Sequence, residues 1–256
     1  MRNDEMEKQR IVVKVGTSTL TGENGAPNFR TIDKLAQVLS TLHNEGHQII
    51  LVSSGAIAVG VNKMRLPMKP KDVCMKQAAA AVGQCELMHI YDKFFGEYGN
   101  IVGQILLTEE DIAVKARKRN LRNTFEALME NGMIPVVNEN DTVCVTELMF
   151  TDNDELSGLI ARMMNAKTLI LLSNIDGIYD GDPSDSGSSV ISKVRAEDNL
   201  EKFIQTGKSS AGRGGMASKY NTARSVAESG IRVIIANGNR DNILPDVLTK
   251  PEDTIH

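Results

Sequence analysis

Six short apolar runs, separated by stretches of helical spacing, constrain the fold of this chain more than any other feature. The runs are Ile11–Val15, Gln48–Val52, Ile101–Leu107, Met133–Val137, Thr168–Leu172 and Ile231–Ala236. Each is short, rich in Val, Ile and Leu, and stops at Gly, Ser, Thr or Asn, which reads as a strand buried on both faces. Between them lie helical patterns over Thr31–Glu45 (apolar at Ile32, Leu35, Val38, Leu39 and Leu42, stopped by Gly46), Ile57–Met64, Asp72–Tyr98, Asn120–Asn131, Thr151 to near Asn165, Glu197–Gln205 and Gly215–Ser229. Strands alternating with helices predict an α/β fold built on a mainly parallel sheet covered on both faces. Val143–Phe150 reads as a short hairpin or arm. The small residues Ala78–Ala81 and Gly83 suit close helix packing, either in the core or at a subunit interface.

No repeat or linker divides the 256 residues, so one domain spanning 1–256 is expected. With 41% hydrophobic and 24% charged residues the chain can bury a core and is not of disordered composition. A formal net charge of -4 points away from nucleic acid. The basic cluster Lys115–Arg122 has no interleaved aromatics for base stacking and reads as the solvated start of a helix. Cys74, Cys85 and Cys144 form no paired short spacing, so neither a disulfide framework nor a zinc site is expected. The polar stretch before Ile11 and the absence of a long apolar span predict a soluble, cytoplasmic protein with no membrane partner.

Polar clusters follow the apolar runs directly: Gly16-Thr17-Ser18-Thr19, Ser53-Ser54-Gly55-Ala56, Asn138-Glu139-Asn140-Asp141 and Ser173-Asn174 before Asp176-Gly177. In parallel sheets ligands bind at the carboxyl ends of strands, where these clusters fall. Turns also need such residues for their own geometry, but carboxylates and amides in most of the clusters favour an enzyme. Lys14 ahead of Gly16 is compatible with a phosphate-binding strand end and equally with a surface lysine before an ordinary turn. Two nucleotide motifs fail in context. Gly207-Lys208-Ser209 lacks the earlier P-loop glycine, since Lys202 stands there, and no strand leads into it. Gly212-Arg213-Gly214-Gly215-Met216-Ala217 fits the loose dinucleotide pattern but follows polar residues, and no acidic residue closes the next strand. What remains is a glycine loop opening a helix that carries Lys219 in about its first turn.

VVKVGTSTLT, LVSSGAIAVG, KQAAAAVGQ, GQILLT, IPVVNENDTV, DNDELSGLIA, DGIYDGDP and GRGGMASK together resemble the amino acid kinase family, in its order and across nearly the whole chain. The match is to the branch that phosphorylates glutamate. This resemblance implies an open, three-layer αβα sandwich of the carbamate kinase-like type. It also implies ATP with Mg²⁺, the metal carried by the nucleotide, and transfer of the γ-phosphate to the side-chain carboxylate of L-glutamate at the start of proline synthesis. On the same ground Lys14 and Lys219 match the phosphate-binding lysines, and Asp154 the carboxylate that orients them. Gly16 and Thr17 match the first nucleotide loop, Ser173 and Asn174 a second, and Gly212, Arg213, Gly214, Gly215, Met216 and Lys219 the glycine loop. Ser54, Gly55, Asp141 and Asn153 match the glutamate contacts. Asn174 stands where the family commonly has aspartate, and Arg213 where a smaller residue is common. The resemblance further implies inhibition by proline and a homodimer or homotetramer. Many members carry a C-terminal PUA domain; the sequence ends at His256, so that domain is expected to be absent.

A carboxylate acceptor is ionised at neutral pH and needs no general base, so the chemistry is one of relieving repulsion between anions. A lysine about 4 Å from an oxyanion gains about 4 kcal/mol at an effective dielectric near 20. Two blander readings stand beside this one: Asp154 as a helix N-terminal acid offsetting the macrodipole, and Lys219 as a solvated helical lysine. The alternatives at the level of function are a kinase for another carboxylate acceptor and a sensor that binds nucleotide or amino acid without turnover.

Overall fold

The computed structural model describes residues 8–144, 152–181, 187–191, 194, 216–240 and 244. Its strands are β1 (Arg10–Val15), β2 (Gln48–Ser53), β3 (Ile101–Leu107), β4 (Met133–Glu139), β5 (Thr168–Ser173) and β6 (Arg232–Asn237). They form a 6-stranded sheet in the order β3-β4-β2-β1-β5-β6. Every adjacent pair is parallel, with Lys14 level with Val52 on one side and Leu171 on the other. The helices are α1 (Thr17–Leu20), α2 (Phe29–Asn44), α3 (Ala56–Lys63), α4 (Val73–Glu97), α5 (Glu109–Ala113), α6 (Lys115–Glu130), α7 (Asn153–Met163) and α8 (Met216–Ala227).

Strand alternation sorts the core into two layers, as expected of a sheet covered on both faces. Val12, Ile50, Leu169 and Leu171 pack with Phe125, Leu156, Ile160, Tyr220 and Val226 of α6, α7 and α8. Val13, Leu51, Ile170 and Leu172 pack with Leu35, Leu39, Ile90 and Phe95 of α2 and α4. The chain leaves β1 towards β2 and leaves β5 towards β6, so the strand order reverses between β1 and β5. Ligands of open α/β sheets bind at such a crevice, outside the carboxyl ends of the strands.

Of the small residues of α4, Ala79, Ala80 and Gly83 are buried within the chain, while Ala78 and Ala81 are exposed. A Cβ on Gly83 would lie 1.8 Å from the Ala56 carbonyl oxygen, and one on Gly60 would lie 1.8 Å from that of Ala79. Only glycine lets the α3 and α4 backbones meet this closely. That contact anchors the Ser53-Ser54-Gly55 turn, because α3 begins directly after it. Two helices were not anticipated from the pattern: α1, of 4 residues, and α5, of 5 residues held by a Thr108/Asp111 capping box. The cluster from Lys115 does open a helix, α6, with its basic side chains outward. The expected helix over 197–205 lies outside the described residues, as does the Val143–Phe150 arm beyond Cys144. Cys74 and Cys85 are exposed and Cys144 is buried, all free. Among the described residues no helix is long and apolar enough to cross a membrane.

Candidate active site

Lys14 stands two residues after Val12 on β1, so its side chain points to the face covered by α7 and α8. There its Nζ lies 2.6 Å from Asp154 Oδ1. Lys219, the fourth residue of α8, donates from Nζ to Asp154 Oδ2 at 2.8 Å. One carboxylate therefore holds two ammonium groups that arrive from different elements. All three are buried: Asp154 is 0% exposed, Lys14 5% and Lys219 7%. Lys219 is therefore not a solvated helical lysine, and Asp154, which does lie in the first turn of α7, also pairs with both lysines. Burial lowers the Lys14 pKa below its ordinary value; Asp154 opposes that shift, and the nearby Lys219 charge adds to it. The cluster brings two ammonium groups to one carboxylate in a water-poor place, and an ammonium has three donor hydrogens. An anionic ligand would meet both.

The end of α7 is built to hold this carboxylate. Asp152 caps the helix, its Oδ1 accepting the Asp154 and Glu155 backbone N–H groups at 2.8 and 3.0 Å. Asp152 Oδ2 is buried and has no hydrogen-bond partner among the described residues. Gly16 precedes α1 at the β1/β5 crevice, where a Cβ would come within 3.8 Å of Lys14 Nζ and 3.9 Å of the Leu172 carbonyl oxygen. Thr17 follows it, exposed. Ser173 ends β5, the strand beside β1, and its hydroxyl lies 3.4 Å from Asn174 Oδ1. Met216 is half-buried at the start of α8, while Gly212, Arg213, Gly214 and Gly215 lie outside the described residues.

On the other side of Asp154, its neighbour Asn153 gathers the remaining strand ends. The Asn153 amide donates to the Ser53 carbonyl at 2.6 Å, to Ser54 Oγ at 3.0 Å and to Asn138 Oδ1 at 2.9 Å. Gly55, at φ 97°, turns the chain into α3 in a left-handed conformation that favours glycine. Asp141 lies half-exposed in the turn after β4. The structure thus joins Lys14, Asp154 and Lys219 in one cluster and Ser54 with Asn153 in another, and adjacent residues of α7 link the two.

Several members of the second cluster escape sequence reasoning. Asn138 donates to Gln84 Oε1 at 2.9 Å, and Ser53 Oγ shares a hydrogen bond of 2.8 Å with the Tyr91 hydroxyl. Burial holds the Tyr91 hydroxyl proton, raising its pKa and keeping it available as a donor. Gln84 and Tyr91 lie within the alanine-rich helix, where a lone polar residue gives no positional signal. Asn138 was visible only as part of its polar cluster, and Asp152 only as a helix start.

The profile of the amino acid kinase family matches residues 9–237. The chain belongs to that family. Among similar sequences, the glutamate 5-kinase of Bacteroides thetaiotaomicron is 49% identical over 251 residues, covering 98% of this chain and 70% of that protein. The glutamate 5-kinase of Clostridium perfringens is 48% identical over 254 residues, covering 97% of this chain and 94% of that protein. Among solved structures, an isopentenyl phosphate kinase substrate complex superposes with a TM-score of 0.69 at 16% identity, over 97% of this chain and 100% of that one. UMP kinase from Ureaplasma parvum gives 0.65 at 16%, over 98% of each chain. These distant neighbours establish the amino acid kinase fold, a parallel sheet between helical layers. Membership of the amino acid kinase family brings ATP-dependent kinase chemistry.

Proposed function

We propose that this amino acid kinase transfers the γ-phosphate of ATP to the γ-carboxylate of L-glutamate, forming L-glutamyl 5-phosphate for proline synthesis. The observation that carries the reading is the convergence of Lys14 and Lys219 on Asp154 beside the Ser54–Asn153 pair. Glutamate as the acceptor is supported by the glutamate 5-kinases among its relatives, at 44–49% identity over nearly the whole chain. The acceptor carboxylate, with an ordinary pKa of about 4.3, arrives ionised, so no base is called for. The task is to let two anions approach.

Lys14 and Lys219 would draw in phosphate oxygens with their positive charges, aimed by Asp154 and undiluted by water. Backbone N–H groups at Gly16 and at the start of α3 add donors that need no reorganisation. Both Asp154 oxygens are committed to ammonium groups, which suits a Mg²⁺ held by the nucleotide rather than by Asp154. When bound, that ion would neutralise charge on the phosphates. Ser54, Asp141 and Asn153 would hold glutamate, Asp141 pairing with the α-ammonium, and replacing Asp141 or Asn153 by Ala should raise the KM for glutamate. A rise in the KM for ATP instead would exchange the two halves of the site. Proline as a feedback ligand and assembly as a dimer or tetramer belong to the same reading.

The test is a trap. Protein, ATP, Mg²⁺ and hydroxylamine are mixed with glutamate, aspartate or N-acetylglutamate, and the hydroxamates are measured. Product from glutamate in clear preference supports the proposal. Equal or greater product from another acceptor redirects it to a different carboxylate, and nucleotide binding without any product makes the chain a sensor.

A further inference from the structure

We infer that Gln84 is a positioning residue of the acceptor site. Through Asn138 it helps to hold the polarity that two backbone groups give Asn153 and Ser54, so that the pair reads a free ammonium beside a carboxylate, the signature of an unmodified α-amino acid. The inference rests on the proposed acceptor site and deepens it.

Two backbone groups decide which way the amides point. The Glu139 N–H donates to Asn138 Oδ1 at 2.9 Å, so that oxygen cannot exchange places with its nitrogen without setting donor against donor. Asn138 Nδ2 is thereby turned to Gln84 Oε1, at 2.9 Å. Asn153 Nδ2 faces the Ser53 carbonyl at 2.6 Å, which cannot donate. Both hydrogens of the Asn153 amide are then shared among Ser53, Ser54 and Asn138. What Asn153 offers is its carbonyl oxygen, and no hydrogen bond reaches Oδ1 among the described residues.

The same logic fixes Ser54. Its Oγ accepts from Asn153 Nδ2 at 3.0 Å, so its own hydroxyl hydrogen is left to donate. An acceptor oxygen and a donor hydroxyl side by side match an α-ammonium and an α-carboxylate. They would reject an acylated amine, which lacks the charge and two of its hydrogens.

Gln84 is the outer end of the relay. It is 8% exposed and sits beside Gly83, at the crossing where α3 and α4 backbones touch, so its Oε1 is held at a fixed height above the β4 end. Without that acceptor Asn138 Nδ2 would be buried and unpaired, and the Asn138 amide would be held by the Glu139 N–H and Asn153 alone. With Asn138 Oδ1 displaced, Asn153 would keep only the Ser53 carbonyl and Ser54 Oγ to hold its amide, and its Oδ1 would be less firmly aimed at the ligand.

Calorimetry with glutamate and with glutarate, which lacks the α-ammonium, reads this directly in the presence of a non-hydrolysable ATP analogue and Mg²⁺. The wild type should bind glutamate more tightly than glutarate. Gln84→Met should weaken glutamate binding about tenfold and leave glutarate within about twofold, with nucleotide affinity unchanged. Gln84→Glu keeps an acceptor oxygen and should stay within about threefold of wild type for glutamate. A purely structural role would lower the melting temperature without changing the glutamate-to-glutarate ratio. An unchanged ratio in Gln84→Met overturns the inference, and so does a full loss in folded Gln84→Glu if Gln84→Met does not fold. A wild type that binds glutamate no better than glutarate overturns it together with the acceptor site. Binding as expected without hydroxamate formation removes the proposed reaction alone.

Discussion

Replacing Asp154 by Asn tests the cluster at its centre. The change keeps the size of the side chain and removes the charge that faces two ammonium groups at 2.6 and 2.8 Å. At an effective dielectric of about 20, each of those attractions is worth about 6 kcal/mol, most of it offset by the cost of taking the ions out of water. Removing one partner of a buried ion pair typically costs about 3–5 kcal/mol, because the charge left behind has neither water nor a counterion. With two buried lysines left behind, the upper part of that range applies. For a chain of this size each kcal/mol corresponds to about 2–4 °C, so the melting temperature of Asp154→Asn should fall by roughly 8–20 °C. A triphosphate supplies the missing counterion, so a non-hydrolysable ATP analogue should raise the melting temperature of the variant more than that of the wild type. Turnover should still fall by about a hundredfold or more, since the lysines are no longer aimed. Differential scanning fluorimetry with and without the analogue measures both effects. A fall under about 2 °C, or equal shifts with the analogue, would refute the claim that Asp154 is the counterion of two buried lysines that also meet the triphosphate.

Lys14→Ala and Lys219→Ala should each lower kcat by about a hundredfold or more with the fold retained, and near-normal turnover in either removes that lysine from the chemistry. The lowered Lys14 pKa has a sign that can be checked. Between that value and 10.5 the unfolded chain binds a proton that folded Lys14 has released. Stability should therefore gain from Lys14 as pH rises through this window and level off above it. Over the same window kcat/KM for ATP should fall, with a midpoint below 10.5; a midpoint at or above 10.5 contradicts the burial argument. Gly83→Ala would put a methyl carbon 1.8 Å from the Ala56 carbonyl, so α3 and α4 must separate. Stability should drop by about 1–3 kcal/mol or more, and the KM for glutamate should rise through the displaced Ser54 turn; a neutral outcome in both would show that the helices part without cost.

The sheet and the longer helices were legible because burial imposes a period. A run such as Ile49–Val52, apolar at every position, has no reading as an exposed segment, and Ile32, Leu35, Leu39 and Leu42 mark one face of α2. Helices α1 and α5 are shorter than the window in which periodicity can be seen, and only their caps give them away. Of the candidate site, Lys14 could be placed on a face by its register with Val12, and Lys219 near a helix start. Nothing local says that α7 and α8 pack together so as to bring Asp154 between them, since that contact is made by Gly158 against Thr222 and Val226. Gln84 entered only as the last letter of KQAAAAVGQ, with no role attached, and Tyr91 not at all, because a polar residue in a helix is ordinarily solvated and only the fold buries these two against strand ends.

The account depends on an ionised carboxylate attacking the phosphoryl group that Lys14 and Lys219 hold. Glutamate labelled with ¹⁸O in its γ-carboxylate decides this, with ATP, Mg²⁺ and hydroxylamine present. Hydroxylamine attacks the acyl carbon of the product and releases phosphate that keeps the bridging oxygen. Mass spectrometry of that phosphate should find one ¹⁸O in each glutamate-dependent molecule. Phosphate carrying no label would mean that water took the phosphoryl group, and the proposed chemistry would be wrong.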